Sequence, residues 1–116
     1  MSNSLSMNAY QAEASKTALY RWKVIYPALG LANEAGEVLG KIKKLIRDKE
    51  ITFGEISELP GDDRVAIADE IGDVLWYCSM LAKDLNISLN EVAYMNLEKL
   101  ESRAARGKIG GSGDDR

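Results

Sequence analysis

Residues 29–44 read LGLANEAGEVLGKIKK. Leu31, Ala35, Val38, Leu39, Ile42, Leu45 and Ile46 recur at the i, i+3, i+4, i+7 spacing of a helix with one apolar face. Glu34 and Glu37 stand three residues apart in the same stretch, so both carboxylates lie on one side of that helix, at the edge of the stripe. Like charges that close repel mildly and do not help the helix. A solvated helix edge and a metal site both fit the pair, and the rest of the chain has to separate them.

Residues 69–77, DEIGDVLWY, repeat the pattern. Glu70 and Asp73 are again three apart, and Glu70 falls between Tyr77 and Leu81 at the edge of an apolar face made by Ile67, Ile71, Val74, Cys78, Leu81 and Leu85. A carboxylate there is costly unless it is paired, hydrogen-bonded or bound to a metal. If the two helices pack antiparallel, the two acidic pairs face each other, and four converging carboxylates resist ionising together without a cation. Hard oxygen ligands select hard cations, Mg²⁺ first and Mn²⁺ as a substitute. Mg²⁺ commonly takes its remaining ligands from water and phosphate oxygens, so the implied substrate is a phosphate ester or anhydride.

Around these two stretches the chain reads as all-α and bundle-like, with four helices. The first is expected from about Ser6, a good N-cap, to Lys23, ended by the IYP at 25–27. The second runs from Ala28 to about Asp48. Gly54, Pro60 and Gly61 mark residues 49–63 as a loop. The third runs from Asp62 or Asp63 to about Leu85. Trp76, Met80 and Val65 lie well round from its main stripe, which predicts burial on two sides or a subunit interface. The fourth opens on a capping box, Ser88 with Glu91 three residues on, and ends near Gly107. Residues 1–109 thus read as one domain, and GGSGDDR at 110–116 as a flexible tail.

The chain has 116 residues, 46% of them apolar, enough for one core. A formal charge of −3 argues against non-specific binding to nucleic acid or an anionic membrane. With no His, His-based triads, His-containing zinc sites and Glu-x-x-His di-iron centres are excluded. The one cysteine, Cys78, sits in an apolar run and fits a reducing compartment. No apolar run approaches the ~18 residues of a membrane span, and MSNSLSMNAYQAEASK at the start has no signal-peptide core. The expected location is cytoplasmic.

Several polar and aromatic residues bear on substrate. Lys41 and Lys44 follow Glu37 along the same helix edge, and Asn96, Lys99 and Arg103 share one side of the fourth helix. They fit contacts to phosphate oxygens equally with ordinary pairing to nearby acids. Asn96 lies inside an apolar stripe and so wants a partner. Trp22, Tyr26 and Trp76 fit either the core or a slot in which a flat base stacks. The GSGD of the tail has the glycines of a phosphate-binding nest but lacks the Lys-Ser/Thr ending of a P-loop.

LGLANEAGEV followed by DEIGDVLWY closely resembles the MazG-like branch of the all-α nucleoside triphosphate pyrophosphohydrolases. The Glu-x-x-Glu and Glu-x-x-Asp signature is carried by Glu34, Glu37, Glu70 and Asp73, and the likeness extends from about Tyr10 to the end of the chain. The resemblance implies an oligomeric, Mg²⁺-dependent enzyme that cleaves a nucleoside triphosphate between the α and β phosphates. It implies Glu34, Glu37, Glu70 and Asp73 as metal ligands, with Glu37 also orienting or deprotonating the attacking water. It further implies Asn96 and Lys99 as substrate contacts, then Arg103, with Lys41 and Trp76 as further candidates. A homodimer or dimer of dimers is expected. One departure stands out: the 32 residues between Glu37 and Glu70 exceed the usual spacer, and the excess lies in loop 49–63. Two other readings remain. One is a same-fold enzyme for phosphoribosyl-ATP, dUTP or dCTP. The other is a non-catalytic helical interaction module with its acids as surface charge.

Overall fold

The computed structural model describes residues 4–116. The first three residues of the expected domain, and with them the very start of the stretch read for a signal sequence, lie outside the described residues. The order is α1 (Met7–Ser15), α2 (Ile25–Lys49), a single 3₁₀ turn (Ile56–Glu58), α3 (Gly61–Asp84) and α4 (Leu89–Ala105). There is no strand among the described residues. The all-α class and the four helices are as the sequence predicts. No helix is long and apolar enough to cross a membrane.

α2 and α3 form an antiparallel pair, which follows from what meets across it. Lys49 reaches Asp63, Lys41 reaches Glu70, and Gly30 lies under the Tyr77 ring. As one number falls the other rises. α3 begins with Asp62 and Asp63 at its positive end, and α2 closes with Arg47 and Lys49 at its negative end. Glu50 then turns left-handed, at φ 52°.

The first helix is shorter than its Ala-rich sequence predicts. Ser6 caps it as expected, accepting from Ala9 N–H at 3.0 Å. It stops at Ser15 instead of Lys23 because side chains take over its last carbonyls. Ser15 Oγ donates to Ala12 O and Thr17 Oγ1 to Ala14 O. The Trp76 indole N–H also donates to Ala14 O, at 3.2 Å, and to Thr17 Oγ1, at 3.0 Å. Tertiary bonds thus override a weak local preference. The IYP at 25–27 does not end α1; it forms the first turn of α2, where proline's missing N–H would have had no partner anyway.

Of the two alternatives for the second apolar side of α3, packing within the chain is what the structure shows for Met80 and Trp76. Met80 is fully buried, and Trp76 is tied to α1 by its indole. α1 therefore covers that side, and only Val65 stays exposed. α1 itself is docked by amides. Gln11 Nε2 donates to Ser79 O and Ile87 O, and its Oε1 accepts from Leu89 N–H. Asn8 Oδ1 accepts from Asn90 N–H. Together with Ser88, which accepts from Glu91 N–H at 3.1 Å, these amides satisfy the start of α4.

α4 packs on α1 and α3 and does not reach α2. The four helices therefore do not close into a bundle within one chain. Leu97 and Leu100 of α4 are exposed, as are Leu39 and Ile71, which belong to the apolar stripes predicted for α2 and α3. The chain exposes 8698 Å², against about 6,300 Å² for a compact monomer of its mass. Its radius of gyration is 17.0 Å, against about 13 Å for a compact domain of this length.

The tail is bent back on α4. Gly107, Gly111 and Gly113 all adopt positive φ, which is the use made of glycines that composition alone reads as flexibility. Asp114 then reaches Lys99 and Arg103.

A Cβ on Gly30 would collide with the Tyr77 ring, whereas Gly36 has nothing near it. Gly30→Ala should lower the free energy of urea unfolding by about 1–3 kcal/mol through overpacking. Gly36→Ala should be neutral or raise it by up to about 1 kcal/mol through helix propensity. Equal effects at the two sites would show that Tyr77 does not rest on α2.

Candidate metal centre

The antiparallel register brings Glu34 of α2 opposite Glu70 and Asp73 of α3. One carboxylate oxygen from each lies within 4.8 Å of the others. Oxygens about 2.1 Å from a shared Mg²⁺ sit about 3.0 Å apart when adjacent and about 4.2 Å when opposite. A spread of up to 4.8 Å is close to that spacing, and three carboxylates are the donors a hard cation takes. The residues fit the group.

Electrostatics agree with the geometry. Burial pushes the Glu34 carboxyl above its ordinary pKa, and Asp73, Glu70 and Glu37 push it further in that order. Without a cation, then, Glu34 is a carboxylate that resists ionising. The Lys41 Nζ lies 3.8 Å from Glu70 Oε1 and supplies part of the missing positive charge. Lys41 is thus placed at the carboxylates. Glu37, one turn beyond Glu34, is exposed and stands outside the three-oxygen cluster, close enough to act on Glu34 through its charge.

A cavity of about 340 Å³ opens over the cluster, lined by Glu34, Asp73, Trp76 and Tyr77. Beside it lies a second, of about 400 Å³, lined by Thr17, Leu19, Tyr20, Arg21, Trp22, Tyr26 and Trp76. Trp76 is the wall common to both. The three aromatics singled out in the sequence therefore meet on one open cavity next to the carboxylates. The Tyr20 and Tyr26 rings stack at 5.0 Å, and Trp76 stands edge-on to Tyr20 at 6.2 Å and to Tyr77 at 5.0 Å.

Sequence reasoning missed Tyr77, although it stands one turn beyond Asp73 on the same face of α3. Its phenol is pushed up to about 12 by its hydrogen bond with Tyr26 and by burial, with Glu34 and Asp73 adding to the effect. It stays protonated beside the carboxylates. Tyr20 was missed too, and its phenol is pushed up to about 12 by burial and by the hydrogen bond to Asp84. Neither Gly30, which admits the Tyr77 ring, nor Asp84 carries a local sequence signal.

The α4 candidates are not brought to this cluster within one chain. Asn96 and Lys99 line a separate cavity with Ile87, Val92 and Met95. Asn96 is exposed, so solvent satisfies the amide that the stripe pattern placed in the core. Arg103 is 5% exposed and held by the tail. Its Nη2 donates to Asp114 O at 2.9 Å, to Asp114 Oδ1 at 3.1 Å and to Gly113 O at 3.4 Å. Lys99 Nζ lies 3.2 Å from the same Asp114 carboxylate. Arg103 and Lys99, in that order, hold the Asp114 carboxyl below its usual range.

Antiparallel helices, three converging carboxylates and an adjoining aromatic cavity define a class, and comparison with known proteins agrees with it. The MazG nucleotide pyrophosphohydrolase domain family matches residues 27–107. The chain belongs to that family. It is also similar to the Gene 37 protein of Mycobacterium phage L5, at 42% identity over 120 residues, covering 97% of this chain and all of that protein. No solved structure matches it.

Because its folded-state pKa is raised, Glu34 favours folding only while protonated. That contribution is present at low pH and is lost as the pH rises through the raised value. Glu34→Gln should therefore melt higher than wild type at neutral pH in EDTA, and the gap should close as the pH falls toward the ordinary Glu range. A pH series of thermal melts tests this. A gap that is absent at neutral pH, or that widens on acidification, would remove the argument for crowded carboxylates.

Proposed function

We propose that this chain is a Mg²⁺-dependent nucleoside triphosphate pyrophosphohydrolase. It cleaves NTP or dNTP between the α and β phosphates, giving the monophosphate and pyrophosphate. One observation carries the reading: three carboxylates from two helices converge beside an aromatic cavity of a size that suits a base. A protein that recognises only phosphate has no use for the second feature, and one that binds only a base has none for the first.

In this reading Glu34, Glu70 and Asp73 hold Mg²⁺, or Mn²⁺ in its place, with Glu37 able to join them. The bound cation neutralises triphosphate charge and lowers the pKa of water. Glu37, exposed and one turn beyond the cluster, orients the attacking water and accepts its proton. The water oxygen forms the new bond to the α phosphorus as the bond to the α–β bridging oxygen breaks, and pyrophosphate leaves with that oxygen. Lys41 exchanges its contact with Glu70 for the phosphates and stabilises the leaving charge. Trp22, Tyr26 and Trp76 stack on the base.

The reading includes a homodimer or a dimer of dimers. The surface in excess of a compact monomer is about 2,400 Å² per chain, and obligate interfaces bury roughly 2,000–5,000 Å² in total. Asn96 and Lys99 then serve the substrate from a neighbouring copy, since α4 does not reach α2 in its own chain. Arg103 acts chiefly as the anchor of the tail. The partners are nucleotide and further copies of the chain, without nucleic acid or membrane, and the location is cytoplasmic.

Pyrophosphate release from a panel of NTPs and dNTPs, with Mg²⁺ and with EDTA, tests the activity. Release should require the metal, and Glu37→Gln should lower kcat by about 10²-fold or more. Activity confined to phosphoribosyl-ATP would keep the fold's chemistry and change the substrate. No metal-dependent release or metal binding at all would favour the interaction module. Light scattering should give at least twice the mass of one chain, and a monomer at micromolar concentration would refute the shared site.

A further inference from the structure

Most of the lining of the aromatic cavity besides Tyr26 and Trp76 comes from residues 16–24, the connection from α1 to α2. Thr17, Leu19, Tyr20, Arg21 and Trp22 all come from it. This segment has little packing of its own, with Leu19 91% exposed and Trp22 68%. Its shape is set from a distance by Asp84, the last residue of α3. A single oxygen, Asp84 Oδ2, accepts from the Tyr20 hydroxyl at 2.8 Å and from Val24 N–H at 2.9 Å. Both bonds go to a charged acceptor, which makes them stronger than neutral ones.

Val24 itself is strained. Its φ is 66° and its ψ is −57°, and Ile25 N–H donates to Lys23 O at 2.7 Å across it. That is a classic γ-turn, rare in proteins and unfavourable for a β-branched residue. Strained backbone persists only where its surroundings hold it. Here the hold is Asp84 on the N–H of the strained residue itself.

We infer that Asp84 is a positioning residue for base recognition: it fixes segment 16–24 as the cavity wall without touching the substrate. The strained turn at Val24 is the hinge that Asp84 keeps in place. Tyr20 is positioned directly, and Trp22 and Tyr26 through the turn between them. The inference rests on the proposed function, because it assigns the aromatic cavity to the base.

The test compares wild type with Asp84→Ala, Asp84→Asn and Tyr20→Phe. Each is first checked for helix content and a cooperative melt. KM and kcat are measured for the four dNTPs with Mg²⁺, and dissociation constants for α,β-methylene dNTPs and for inorganic tripolyphosphate, which has no base. Asp84→Ala should raise KM for the preferred dNTP about tenfold, as loss of bonds to a charged group does. It should change kcat less than KM, narrow the spread among bases and leave tripolyphosphate affinity unaltered. Asp84→Asn, which keeps a neutral acceptor, should fall between, and Tyr20→Phe should narrow the spread in the same direction. If Asp84→Ala does not fold, Asp84→Asn and Tyr20→Phe carry the test. An unchanged base spread in an active enzyme overturns this inference alone, as does an equal loss of tripolyphosphate binding. A wild type that neither binds nor hydrolyses any nucleotide overturns the proposed function and this inference with it.

Discussion

The candidate centre depends on the register between α2 and α3. Glu34 meets Glu70 and Asp73 only because α2 and α3 run antiparallel with Gly30 under Tyr77 at one end and Lys49 on Asp63 at the other. A slip of one helical turn would displace the carboxylates by about 5.4 Å, and the shared oxygen cluster would be gone. The pairing is held against resistance, since like charges sit at its middle. Lys41 relieves part of that repulsion by approaching Glu70, and the Tyr77 ring on Gly30 locks the register next to the cluster. A close aromatic–glycine approach is suited to this because it admits one alignment only.

From that pair the rest is built outward by polar bonds more than by apolar area. Gln11 bridges three backbone groups where α3 passes into α4, and Trp76 ties α1 to the wall of both cavities. The consequence is coupling. The indole that separates the carboxylate cavity from the aromatic one also ends α1, so the segment beyond Ser15 is free to become a cavity wall instead of a third turn of helix. Local helix preference is given up at the place where the chain needs a surface.

The helical pattern and the two acidic pairs were readable because they are periodic. Ser6, Ser88 and Gly107 fixed helix ends by local chemistry, and all three act as expected. The end of α1 was not readable, because it is decided by Trp76, some sixty residues away. The contacts of the tail were not readable either: its composition resembles a linker, and nothing local announces that Asp114 reaches the buried Arg103. Asn96 misled through its stripe, since a stripe predicts burial only if something packs on it. Trp22, Tyr26 and Trp76 were each visible, but their convergence on one cavity required the fold.

The exposed stripes give the incomplete site a physical meaning. Leu97 and Leu100 on α4 and Leu39 on α2 have the spacing of core positions and the exposure of surface ones. Exposed apolar stripes of this kind support the proposed oligomer. Arg103 is enclosed by the tail and Lys41 leans on Glu70, so both of these cations are already engaged within one chain. Among the described residues Lys99 pairs with the exposed Asp114, a contact that water and salt screen readily. In the proposed reading it is the α4 cation that a phosphate would displace most easily. In the homodimer we propose, a second chain would cover the exposed stripes of α2 and α4 and bring its own Lys99 to the carboxylates, so that folding and substrate binding would draw on the same interface.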